Sequence, residues 1–387
     1  MSNTPKLRFK EFSGDWENHL LGRSITLYDN ERKPIKEQKR NNGKYAYYGA
    51  TGIIDYIDDY IFEGEYLLLG EDGANIVTRN APLVYKTSNK FWVNNHAHIF
   101  KPKSEFNIDF MKQRLELINY IPYNTGTAQP KLNLDSIKSI SFKAPSRQEQ
   151  EKIASFFSLI DKKISFQGEK VEALKDYKKG MMQKIFSREL RFKDDNGKDY
   201  PEWEEKKLGD IATIVGGGTP STTEDQYWNG EIQWFTPTEI KEQKFVSTSI
   251  RTITYEGLRK SSAKILPKGT ILLTTRASLG DMAIANNEVT TNQGFQSIIA
   301  KDNVNNQFIY YLQEKIKKYC YKNASGSTFL EISKKTIESF KLKLPCLEEQ
   351  NKIVEVLSIL DNKIEKEQEK LNSLNEYKKG LLQQMFV

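Results

Sequence analysis

Cysteine is almost missing from this chain: Cys320 and Cys346 are the only two in 387 residues. Two thiols so far apart exclude a disulfide framework, a CxxC pair and a zinc finger, and both read as ordinary reduced thiols. Histidine is nearly as scarce, with only His19, His96 and His98. His96 and His98 alternate on one strand-like face, yet no carboxylate cluster in the sequence accompanies them, which argues against a metal site. The acidic pair Glu71-Asp72 reads as a surface turn or a hydrogen-bonding framework. There is no GxxxxGK[ST] loop, no HExxH and no supported Ser/His/Asp pattern, and GGGTP lacks the lysine that phosphate transfer requires. Apolar runs hardly exceed YLLL or TILL, and MSNTPKLRFKEF is unlike an export signal. A cytoplasmic protein with no membrane partner is expected.

What is present is length, positive charge and repetition. The chain can hold two or three domains with real cores, and it is 38% hydrophobic. Its formal charge is +7, mostly lysine scattered among Tyr, Phe, Asn and Thr. That charge favours a polyanionic partner, although solubility alone accounts for it equally well.

The phrase DYKKGMMQKIF ending at Phe186 returns as EYKKGLLQQMF ending at Phe386. The register holds without a gap from Gly126 and Gly326 onward, roughly 60 residues. It carries Pro145/Pro345, Glu149-Gln150/Glu349-Gln350, Asp161/Asp361 and Tyr177/Tyr377. A second echo opens each half: LRFK at Leu7 and at Leu190, then Trp16 and Trp203. The order is head, arm, head, arm, with bounds expected at 1–143, 144–188, 189–343 and 344–387.

The arms read as helices. A 4,3 spacing runs through Ile153, Phe157, Ile160, Ile164, Gln167, Val171, Leu174 and Lys178, and again through Ile353, Leu357, Leu360, Ile364, Glu367, Leu371, Leu374 and Lys378. Such a period marks helices that wrap on one another. Ser146 and Glu149 form an S-x-x-E capping box, whereas Cys346 leaves the second box incomplete. A single amphipathic helix could lie on its own head, but two arms of roughly 60 Å exceed what one small head covers. The arms are expected to pair, and an antiparallel pairing would bring Gln167 to Glu367.

The heads mix short strand-like runs with polar loops and helical patches, which predicts α+β domains. Their edges match and their middles differ. GGGTPSTTEDQYWNGEIQWFTP, YYGATGIIDYIDDYIFEGEYLLLGEDGA and GTAQPKLNLDSIKSISFKAPSRQEQEKIA, with the repeated arms, resemble the DNA-specificity (S) subunits of type I restriction-modification systems. The resemblance covers essentially the whole chain. It implies two pseudo-two-fold-related α/β target-recognition domains separated by two long antiparallel coiled-coil-like helices. Each domain would read one half of an asymmetric, interrupted site on double-stranded DNA. The helices would set the spacer and dock two methyltransferase (M) subunits, with two restriction/translocase (R) subunits added for cleavage. S-adenosylmethionine, ATP and Mg would then belong to the partners. This chain would hold no cofactor or metal and would not be an enzyme; IPYN at Ile121 only faintly echoes the NPPY motif of adenine methyltransferases. Two other readings stay open: the specificity chain of a bipartite system whose nuclease and methylase are fused, and a helical scaffold that does not touch DNA.

Base readout needs Arg, Lys, Asn or Gln on groove-reaching loops, with hydroxyls and amides on phosphates. In the first head the candidates are Arg32, Lys33, Lys36, Lys39, Arg40, Asn42 and Lys44, a run that could equally be a solvated charged face. Arg79-Asn80 and the loop of Thr125, Thr127, Gln129 and Lys131 join them. In the second head they are Thr219, Ser221, Thr222 and Thr223 after the glycines, then Arg259, Lys260, Ser261, Ser262 and Lys264, then Arg276, Asn292, Gln293, Ser325 and Ser327. Tyr227, Trp228 and Trp234 read as framework.

Overall fold

Arg147–Ser187 and Leu347–Met385 are each one uninterrupted helix, of 41 and 39 residues. The computed structural model describes residues 3–240, 243–276, 278–326 and 330–387; Ser327 lies outside them. Two units divide the chain, Met1–Lys170 with Glu367–Val387, and Val171–Lys366. The division falls within the two long helices. Each unit therefore holds one head, part of the helix that follows it and part of the other long helix.

In the first unit Glu17–Leu20 pairs antiparallel with Ser141–Ala144, so the first and last strands of the head are neighbours. Between them lies a four-stranded sheet in the order Ile25–Leu27, Ala97–Pro102, Tyr66–Gly70, Val84–Thr87. A second sheet runs Gly52–Ile57, Asn42–Gly49, Lys90–Val93, Phe62–Glu63. YLLLG is a strand buried at every position, as an apolar run with a turn after it should be. Helix Ile108–Glu116 is capped by Asn107, whose side chain accepts from the amides of Asp109 and Phe110.

The core of this unit joins Leu67, Phe100, Phe110 and Phe142 to Ile153 and Phe157 from the central helix and to Leu381, Met385 and Phe386 from the C-terminal one. Phe386 stacks on Phe110 at 5.4 Å and meets the edge of Trp16 at 6.0 Å. The first turns of the apolar seam thus serve the head as well as the other helix. Further along, Lys378 reaches Asp161 at 2.6 Å, and Gln167 Nε2 donates to Glu367 Oε2 at 2.7 Å and to the Glu367 carbonyl at 2.9 Å. As residue numbers rise on one helix they fall on the other, which makes the pair antiparallel.

The second unit repeats this plan with different contents. Glu204–Lys207 pairs with Lys341–Leu344. The main sheet has five strands, Ala212–Gly216, Gln296–Ala300, Ile271–Leu273, Met282–Ala285 and Phe245–Val246, and a three-stranded sheet is built on Trp228–Phe235. Ile185 is buried with Ile353 and Leu357 in one core, and Phe186 packs on Phe308 at 5.7 Å. Lys178 forms an ion pair with Asp361. The polar interruption at Lys178 and Lys378 in both seams is accounted for by these paired aspartates.

The capping box expected at Ser146 and Glu149 is only half formed. Ser146 Oγ accepts from the Glu149 amide at 3.4 Å, but the Glu149 carboxylate is buried and taken by Arg8, whose Nε and Nη2 donate at 2.8 and 2.7 Å. A bidentate arginine outcompetes a backbone amide for a buried carboxylate. The second half repeats the arrangement without any box, with Arg191 on Glu349 at 3.2 and 3.0 Å. The neighbouring glutamines act as paired latches. Gln150 Oε1 accepts from Asn107 N and Gln350 Oε1 from Asn305 N, each at 2.9 Å, while their amide groups donate to Pro145 and Pro345 carbonyls.

Candidate nucleic-acid interface

The second head gathers most of its expected residues into one connected surface. Gly218 N donates to the Thr291 carbonyl at 2.8 Å. A Cβ at Gly218 would sit 2.3 Å from Ala263 N, so only glycine lets this loop close against the segment that carries Arg259 to Lys264. Trp234 Nε1 holds the Gly218 carbonyl at 2.9 Å and Trp228 Nε1 holds that of Ser221 at 3.0 Å. Both tryptophans are buried, with their indole donors spent on the loop they support. Ser221, Thr222 and Thr223 are exposed beyond it, and Thr219 Oγ1 donates to Gln293 Oε1. Beneath the surface the buried Thr275 amide meets the Gly294 carbonyl at 2.8 Å, and the adjoining Arg276 is exposed and paired with Glu331 at 2.7 Å. Ser325 and Glu331 exchange backbone bonds at 2.9 Å. Asn292 is half-buried and its Oδ1 accepts from Gly294 N, so its role is to shape the turn.

Arg251 belongs to the same surface and was missed in the sequence. Its guanidinium lies 3.5 Å from the Trp228 ring centre and 5.7 Å from that of Trp234. Trp228 is remote in sequence, and only the pairing of Arg251–Ile253 with Trp228–Phe235 brings the two together.

In the first head several of the expected residues are engaged within the protein. Arg32 is only 14% exposed and binds Asp29, Glu71 Oε2 at 2.7 Å and the Ala97 carbonyl at 2.9 Å. Arg40 covers the Tyr47 ring at 4.6 Å and bonds Asp55 and the Ile35 carbonyl. Arg79 adopts a left-handed backbone and ties to Glu116, whose other oxygen accepts from the amides of Leu83 and Val84. These three cations sit where partly buried carboxylates or an aromatic face hold them. Lys33, Lys36, Lys39, Asn42, Lys44 and Asn80 are exposed, as are Thr125, Thr127 and Gln129. Lys131 is half exposed and reaches Glu71 at 3.3 Å.

Gly126 explains the tightness of that last loop, since a Cβ there would lie 1.8 Å from the Gln129 carbonyl oxygen. Asn124 Oδ1 accepts from both Gly126 N and Lys131 N, closing the turn from inside. Glu71 and Asp72 are its foundation: Asp72 pairs with Lys131 in an isolated bridge and with His96 at 2.7 Å. His98 has both ring nitrogens engaged, by Asp29 at 2.6 Å and by the Leu132 carbonyl at 2.8 Å. Burial alone would raise Asp29, but His98, the Ile99 amide and Arg32 draw its carboxyl below the ordinary range.

Among the described residues no group of three or more His, Cys, Asp or Glu is placed to hold a metal ion, and no helix is long and apolar enough to cross a membrane. Cys320 is buried, with its thiol pushed up to about 11 by that burial.

The type I restriction modification DNA specificity domain matches this chain twice, over residues 14–176 and 200–376. The MjaIX specificity subunit of a type I restriction enzyme from Methanocaldococcus jannaschii is 40% identical over 207 residues, 52% of this chain and 48% of that protein. The chain thus spans about half of that relative's length. A putative type I specificity subunit of Haemophilus influenzae, S.HindORF215P, is 27% identical over 353 residues, covering 87% of this chain and 85% of its own. The S subunit of a type I restriction-modification system from M. genitalium has the same fold across 99% of both chains, with a TM-score of 0.61 at 17% identity. With both heads and most of both helices matched, the chain belongs to the type I restriction modification DNA specificity domain family.

Proposed function

We propose that this chain is a non-catalytic DNA-recognition subunit whose two heads each read one half of an asymmetric, two-part site. The observation that carries the reading is a shared frame with unlike contents. Both heads close on the same Arg–Glu and Gln latches, yet one presents lysines and a tight Gly126 loop and the other a hydroxyl-rich loop on two tryptophans. Exposed lysines, amides and hydroxyls suit phosphate and groove-edge contacts.

The long helices set the spacing between the half-sites in this proposal. Their outward faces support a docking role: Leu159 is 67% exposed and Ile359 58%, and Tyr177 and Tyr377 are 57% each. Apolar side chains left in water at matching positions of two helices suit partner helices. Two methyltransferase subunits would bind there, joined by two restriction/translocase subunits in a cleaving complex, all in the cytoplasm. S-adenosylmethionine, ATP and Mg would be supplied by those partners. The deciding experiment is methylome mapping in cells that express this chain with its methyltransferase. An interrupted, asymmetric motif is expected, and a palindrome or a continuous site would overturn the reading.

A further inference from the structure

The two units differ at one place in a way that points to a missing strand. In the second unit Phe245–Val246 adds a fifth strand, parallel to Met282–Ala285, through Ile284 N to the Lys244 carbonyl at 2.8 Å and Asn286 N to the Val246 carbonyl at 2.9 Å. Lys244 then turns toward the C-terminal helix. Its ammonium binds Tyr311 Oη at 2.6 Å, Asp361 Oδ2 at 3.0 Å and Ser358 Oγ at 3.4 Å, and lies 4.4 Å from the Tyr311 ring centre.

The first unit has the equivalent strand and, at the equivalent place, a pocket that keeps the serine and the aspartate. Leu67 pairs with Phe100 and Lys86 just as Ile271 pairs with Ile298 and Ile284, so Val84–Thr87 corresponds to Met282–Ala285. Gly70 N donates to the Leu83 carbonyl, which by strand alternation turns the Lys86 amide outward, as the Ile284 amide is. Among the described residues no strand pairs with that outer edge, although at its start the Val84 amide donates to Glu116 at 2.8 Å, which leaves the Lys86 amide as the one a strand would use. Beside it lies a cavity of about 310 Å³ whose lining includes Asp109, Lys112, Gln113, Ser158 and Asp161. Through the shared Gln latch and the helical repeat these are the counterparts of Gln307, Tyr310, Tyr311, Ser358 and Asp361, the residues around Lys244. Lys86 joins edge and cavity by pairing with Asp109 at 2.9 Å. Asp161 has its ion pair to Lys378, as Asp361 has Lys178, yet its side chain is 40% exposed against 21% for Asp361.

We infer that the edge of Val84–Thr87 and the Asp161–Ser158 pocket together receive an extended segment of a partner protein, which adds a parallel strand and seats a lysine ammonium on Asp161. An unpaired edge is a template for strand addition, and the adjoining pocket supplies the side-chain selectivity. The lysine class follows from the second unit, where the corresponding Ser358 and Asp361 take Lys244; there Tyr310 and Tyr311 stand where the first unit has Lys112 and Gln113, and Lys162 also lines the first unit's pocket.

The probe is a labelled peptide copying residues 240–250 of this chain, titrated into the full-length protein and read by fluorescence anisotropy. Saturable binding with Kd below about 1 mM is expected, and the peptide carrying Lys244→Met should bind at least about tenfold more weakly. Lys86→Pro, which removes the outward amide, and Ser158→Arg, which places a resident guanidinium in the pocket from an exposed helix position, should each abolish binding while DNA affinity and helicity stay unchanged. No saturation up to about 1 mM, equal binding of the methionine peptide, or binding that survives either substitution in the protein would overturn the inference.

Discussion

Glu149 and Glu349 are buried carboxylates, each gripped by an arginine from the start of its own head. Removing one member of such a pair strands the other without solvent, which costs about 3–5 kcal/mol. The two sites differ in a way that ranks the damage. Trp203 Nε1 also donates to Glu349 at 2.9 Å, whereas Trp16 Nε1 is buried with no partner among the described residues. Arg8→Met should therefore lose about 4 kcal/mol and Arg191→Met about 3 kcal/mol in urea unfolding. Equal losses would show that the tryptophan bond contributes nothing. Glu367 gives a pH signature at the same scale. Gln167 first, then Lys370 and Lys170, hold its carboxyl at about 2, from an ordinary 4.5. A depressed carboxylate stabilises the fold fully above its unfolded value and loses that contribution as pH falls through the folded one. Glu367→Gln should thus flatten the fall in thermal midpoint between about pH 4.5 and 2 relative to the parent chain.

At the scale of elements, the helices were legible in the sequence, and the latches and the loops were not. A 3.5-residue period and a gapless repeat constrain every turn of a helix, so the seam and the meeting of Gln167 with Glu367 could be written in advance. The Ser146 box failed because a local pattern cannot anticipate Arg8, which arrives from the other end of the head. Arg251 stayed hidden for the same reason, since its tryptophans are brought to it by strand pairing. Arg32, Arg40 and Arg79 look like surface cations in sequence and prove to be anchored by carboxylates and rings. Tyr177 and Tyr377 face outward, while the neighbouring Lys178 and Lys378 turn inward to aspartates. Neutralising Arg259, Lys260 and Lys264 together should weaken DNA binding for all sequences and reduce the log–log salt slope by up to about 0.9 per lost phosphate contact. An unchanged slope would remove this loop from the interface.

For the whole molecule, the proposal turns helix length into genetic distance. Inserting four residues into Arg147–Ser187 adds about 6 Å of helix and slightly more than one full turn, which keeps the apolar seam close to its original face. The unread spacer should grow by one to two base pairs at about 3.4 Å each while both half-sites keep their bases. Sequencing of methylated sites before and after insertion checks this, and a spacer of unchanged length would separate helix length from site geometry.

The pairing of Glu17–Leu20 with Ser141–Ala144, and of Glu204–Lys207 with Lys341–Leu344, has a consequence for how such chains change over time. A stretch that leaves and returns at neighbouring points is a cassette. Its middle can lengthen, shorten or be exchanged for another while the doorposts stay where they are, so under the proposed function a new half-site could be acquired by exchanging the middle alone.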